Sequence, residues 1–69
     1  MKLKYYVNDN AQPNGDHEVH IESCIYYSRI MNKTYLGEHD SCHDAVLVAK
    51  KKHRQVNGCK ECCRPCHTS

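Results

Sequence analysis

Residues 40–58, DSCHDAVLVAKKKHRQVNG, decide the fold class, because no other stretch is long and periodic enough for a helix. Cys42, Ala45, Val46, Ala49, His53 and Val56 recur at spacings that fall on one face of a 3.6-residue period. Asp40 or Ser41 is placed to cap the first turn, and Asp44 lies where an acid suits the helix dipole. Lysines crowd the last turns and Asn57-Gly58 reads as the stop, so a helix from Cys42 to about Val56 is expected.

Working outward from that helix, the preceding segments alternate with period 2. In LKYYV, residues 3–7, Leu3, Tyr5 and Val7 share one face and Lys4 and Tyr6 the other. In HEVHIES, residues 17–23, Val19 and Ile21 oppose Glu18, His20 and Glu22. The linker between them carries Pro13 and Asn14-Gly15, which favour a bend and an antiparallel pairing. Within residues 24–36, Thr34, Tyr35 and Leu36 are best placed as a third strand, ending at Gly37. The expected fold is α+β: a small antiparallel sheet of two or three strands packed against one C-terminal amphipathic helix, residues 1–58, followed by a Cys-rich tail, residues 59–69.

The stretch from Tyr5 to about Val56 resembles the small strand-strand-strand-helix domains of the YegP type. The aromatic first strand, the turn at Asn14-Gly15 and the helix opening at Asp40-Ser41 carry the likeness. The second strand here lacks that family's tryptophans, and its tandem repeat is absent. The resemblance implies the fold and no defined activity, and the cysteine tail lies outside it.

Sixty-nine residues without Trp or Phe make one domain with a thin core, and a chain of this size buries only about 60% of the surface its unfolded form exposes. Domains in this range often add a disulfide or a structural metal. Six cysteines supply the means. No apolar run follows the N-terminal lysines, so neither a signal peptide nor a membrane span is expected, and the expected compartment is the cytoplasm. Thiols stay reduced there, which favours a metal site or a reactive thiol over a three-disulfide framework.

The density of Cys59, Cys62, Cys63, Cys66 and His67 points to a metal, with zinc the expected ion, since Zn²⁺ takes tetrahedral thiolate and imidazole ligands. Cys59-Lys60-Glu61-Cys62 and Cys63-Arg64-Pro65-Cys66 are two Cys-x2-Cys spacings that abut, so both cannot wrap one ion in the usual way. The expected site therefore takes Cys59, Cys62 and Cys66, with Cys63 or His67 as fourth ligand and Cys24 as a long-range candidate. Cys42, at the helix N-terminus beside His39 and His43, reads as a core residue or as a low-pKa thiol, and Cys24 is open to the same two readings.

Other features carry less. His17 and His20 stand three apart in a strand, which sends them to opposite faces, and His20 beside Glu18 and Glu22 reads as exposed. Lys50, Lys51 and Arg54 can bind anions, but a net charge of +2 with no recognised nucleic-acid motif favours a solvated helix end. No catalytic motif is present. The functional expectation is a non-enzymatic binding module with structural zinc, its partner a protein before a nucleic acid and not a membrane. The alternative is a thiol redox or soft-metal-handling protein that uses the C-terminal Cys-x2-Cys pairs.

Overall fold

A computed structural model describes residues 1–68. Three strands come first along the chain: β1 (Leu3–Asn8), β2 (His17–Ile21) and β3 (Lys33–His39). They are followed by helix α1 (Cys42–Ala49) and a short strand β4 (Val56–Gly58). The sheet order is β3-β1-β2-β4; β1 pairs antiparallel with β2 and with β3, and β2 pairs parallel with β4. The fold is thus α+β as expected, but the sheet is mixed and has four strands, and the helix is not the last element.

The alternation of β1 and β2 does what its period requires. Tyr5, Val7 and Val19 are buried on the face that meets α1, where Ala45 and Ala49 are fully buried and Leu36, Cys42 and Cys63 complete the cluster. Tyr6 points the other way and packs against the rings of Tyr27 and Tyr35, both centroids 5.1 Å away. Between β1 and β3 the register shifts at Tyr5/Tyr6, leaving Leu36 between the pairs Tyr6↔Tyr35 and Tyr5↔Gly37. Gly37 adopts φ 96°, a left-handed conformation in which a β-carbon would be strained.

The helix stops seven residues before the expected Val56. Ser41 occupies the cap position without a side-chain hydrogen bond, and after Ala49 the amides of Lys51 and Lys52 donate to Val48 and Ala49 in a tightening turn. Val56 and Asn57-Gly58 then join the sheet. The competing interactions are all long-range: the His17 amide donates to Gln55 O at 2.9 Å, and the register runs His17↔Val56, Glu18↔Asn57, Val19↔Gly58. Asn57, expected at a helix stop, is buried instead. Its Oδ1 accepts from the amides of Gly58 and Thr68, both at 2.9 Å, and its Nδ2 donates to Asp16 Oδ2 at 3.1 Å. No helix among the described residues is long and apolar enough to cross a membrane.

Candidate metal centre

The parallel pairing of β2 with β4 sets the site. One step beyond Val19↔Gly58 the ladder continues, the Cys59 amide donating to Val19 O at 3.0 Å, so Cys59 stands beside His20. Paired residues in a parallel ladder point to the same face, here the one away from α1. Cys24 reaches that face from the turn after β2, where its amide donates to Ile21 O at 3.1 Å. Cys62 arrives from the turn after Cys59, closed by the Cys63 amide donating to Cys59 O at 2.8 Å.

One ligand atom from each of His20, Cys24, Cys59 and Cys62 lies within 4.8 Å of all the others. Cys24 Sγ is 3.6 Å from His20 Nδ1 and 3.9 Å from Cys59 Sγ, and Cys62 Sγ is 3.9 Å from His20 Nδ1. Metal–sulfur and metal–nitrogen bonds of about 2.3 and 2.0 Å in a tetrahedron give edges of about 3.8 Å between sulfurs and about 3.5 Å from sulfur to nitrogen. Those three distances are close to these edges, and the four atoms can hold a metal ion.

The surroundings also suit an ion. Backbone amides of Ile21 and Glu61 donate to Cys62 Sγ and Cys59 Sγ, each at 3.4 Å, the kind of outer contact that orients thiolate ligands. On the far side of the imidazole, Glu18 Oε1 lies 3.7 Å from His20 Nε2, an arrangement that favours Nδ1 as the free donor atom. Burial lowers the pKa of His20, keeping the ring neutral, and raises that of Glu18. Burial also pushes the Cys24 thiol up and takes Cys59 to about 12. Cys62 is raised by its hydrogen bond to Cys63 and then by burial. Burial acts on all three thiols: a thiolate in a dry cluster lacks a counter-charge, which a divalent cation would supply.

Comparison with known proteins gives no family to assign. No family model, curated protein or solved structure matches this chain. What the site can do is therefore read from its own atoms.

The structure divides the expected ligands. Cys59, Cys62 and Cys24 come together, while Cys66 forms a disulfide with Cys42 across 24 residues. The two abutting Cys-x2-Cys turns diverge in this way, with Cys63 turned into the helix-side core. Cys63 keeps a contact with the site, 3.9 Å from Cys62 Sγ, and that hydrogen bond lowers its pKa. His67 binds backbone, its Nδ1 lying 3.0 Å from Gly58 O. Lys50, Lys51 and Arg54 are exposed beyond the helix, and Lys52 is the neighbour that engages, 3.3 Å from Asp9 Oδ1.

His20 is the candidate ligand that sequence reasoning missed. It is 3% exposed, not on the solvated face expected of it, because residues 22–32 fold back over that side of the sheet and bring Cys24 against it. The one local signal is the spacing His20-x3-Cys24, a short-range donor pair that can be read without knowing the partner strand.

Proposed function

We propose that this protein is a small non-enzymatic binding module whose fold is completed by one structural zinc ion, held by His20 Nδ1 and the thiolates of Cys24, Cys59 and Cys62. The observation that carries the reading is the gathering of four donors from two separated segments, with three of their distances near tetrahedral edges. Four protein ligands leave no open position for substrate, the mark of a structural rather than a catalytic site. Three thiolates and an imidazole suit zinc better than the oxygen-preferring cations.

The ion would also give the module its surface. Cys24 begins the segment that displays Ile25, Tyr26 and Met31, of which Ile25 and Met31 are 71% and 82% exposed. An ion at Cys24 ties this apolar segment to the sheet, so the partner that suits it is a protein with an apolar patch rather than a nucleic acid. In a reducing, cytoplasmic setting the thiols of Cys24, Cys59, Cys62 and Cys63 stay available to a metal, whereas the Cys42–Cys66 disulfide would be open.

A second reading, thiol redox or soft-metal transfer through the C-terminal cysteines, is favoured by one observation, the contact of Cys62 with the lowered-pKa Cys63. Native mass spectrometry with metal analysis separates the two. The zinc reading expects one ion per chain, lost in Cys24→Ser and in His20→Ala, and a melting temperature that collapses on chelation, since structural zinc in finger peptides is worth roughly 10–16 kcal/mol. A metal-free chain whose melting ignores chelator would overturn it.

A further inference from the structure

The disulfide lies apart from the centre described above, and a third donor stands beside it. Cys42 Sγ, Cys66 Sγ and a ring nitrogen of His43 lie within 4.8 Å of one another. Cys42 opens α1, where unpaired amides favour a thiolate. His43 is exposed, and a cavity of about 430 Å³ lined by Val46, Leu47, Pro65 and Thr68 opens next to His43 and Cys66.

We propose that Cys42, Cys66 and His43 form a second metal site that exists only when the Cys42–Cys66 disulfide is reduced. The two states exclude each other: a shared ion needs the sulfurs about 3.8 Å apart as separate thiolates, whereas the disulfide joins them covalently. The reducing step is exchange with a dithiol. The S–S bond breaks, two electrons pass from the dithiol, which becomes a disulfide, and its two protons go to Cys42 and Cys66. Binding of a divalent ion then releases those two protons, while neutral His43 lends a lone pair.

Three protein ligands leave the fourth position open toward the cavity, so this site takes a thiophilic ion such as Zn²⁺ together with one small exogenous ligand, a water or a low-molecular-weight thiol. The centre at His20, Cys24, Cys59 and Cys62 is full by comparison. The two share no ligand, so the second site stands or falls independently of the first.

The test uses the full chain, once with the Cys42–Cys66 bond intact and once after reduction with a trialkylphosphine and its removal. Each is titrated with Co²⁺ and then Zn²⁺, followed by thiolate-to-cobalt absorption and native mass spectrometry. The expected result is one more equivalent in the reduced protein than in the oxidised one. His43→Ala, on an exposed side chain, should weaken that extra equivalent by about tenfold or more and leave the other unchanged. Cys24→Ser should remove the constitutive equivalent and keep the redox-gated one, which separates failure of this site from failure of the zinc centre. Equal stoichiometry in the two redox states would overturn the proposal, as would an extra equivalent indifferent to His43→Ala and Cys42→Ser.

Discussion

Gly58→Ala should weaken the proposed zinc centre without touching any of its four donors. A β-carbon built on Gly58 would lie 2.7 Å from Cys66 Cβ, 2.8 Å from Cys63 O and 2.9 Å from the carbonyl carbon of Cys66. Two of these atoms are backbone, and the third is held by the disulfide to Cys42, so no rotamer change relieves the contact. Reaching ordinary contact at 3.4 Å requires residues 63–66 to move away from β4 by about 0.7 Å. Cys62 is covalently next in line, and metal sites tolerate bond-length departures of only about 0.2 Å. Overpacking of this kind costs about 1–3 kcal/mol, which corresponds to roughly 5- to 150-fold in zinc affinity if it falls on the bound state. Competition against a chromophoric chelator, with melting of the loaded and chelated protein, reads both quantities. Gly15→Ala is the control: φ 95° makes it strained, but its neighbour is the flexible end of Gln55, far from the thiols, so it should cost about 1 kcal/mol of stability and nothing in affinity. A Gly58→Ala protein with zinc affinity within about twofold of the parent and unchanged melting would refute the packing of the cysteine turn on β4.

Two further outcomes follow from neighbouring contacts. Glu18→Gln, which keeps shape but removes the charge 3.7 Å from His20 Nε2, should lower zinc affinity by about 10- to 100-fold at constant stoichiometry, and an affinity unchanged in the chelator competition would show that Glu18 does not support the imidazole. Asp9 is raised by burial, but more strongly lowered by hydrogen bonds from His53 at 2.7 Å, Thr34 at 2.7 Å and Lys52. Its folded pKa therefore lies below the unfolded value near 3.9, so its contribution is full above about pH 4 and is lost as pH falls through the folded value. Asp9→Asn should cost about 1–2 kcal/mol at pH 7 and flatten the acid limb below about pH 4 in urea titrations; identical acid limbs would remove Asp9 as their source.

Local periodicity carried the reading as far as local forces act. The alternations of Leu3–Tyr5–Val7 and Val19–Ile21 located β1, β2 and the buried Tyr5, Val7 and Val19, because a half-buried strand leaves period 2 in its own residues. The same logic overran the helix. His53 and Val56 stay in helical phase, yet His53 stacks on His17 at 3.7 Å and Val56 pairs with β2, partners more than 35 residues away that no window contains. Strand β4 has three residues and contains Asn57-Gly58, which by composition looks like punctuation. Its strand character comes from Asp16, Thr68 and the β2 edge. The candidate centre divides along the same line: Cys59 and Cys62 were legible as a Cys-x2-Cys turn, whereas His20 became a neighbour of Cys59 only through the parallel register.

The two candidate cross-links interlace along the chain. The contact Cys24–Cys59 spans 35 residues and the disulfide Cys42–Cys66 spans 24, and their ends alternate in the order 24, 42, 59, 66. By loop entropy alone such closures are worth about 4 and about 3 kcal/mol, while a 69-residue domain has a net stability of only about 3–10 kcal/mol. Each is therefore comparable to the whole, and because they interlace neither replaces the other. A metal at the first centre would fasten segment 22–32 and the Cys59–Cys62 turn to β2, while His67 and Thr68 are held to β4 by their contacts with Gly58 O and Asn57 Oδ1. The disulfide fastens Cys66 to α1 and makes no tie to segment 22–32. Cys63 sits at the junction, 1% exposed, with its amide on Cys59 O and its side chain in the core. Opening the disulfide thus releases Cys66 from a hinge that is already anchored, and the tail can exchange a covalent partner for an ion while the first centre keeps its four donors.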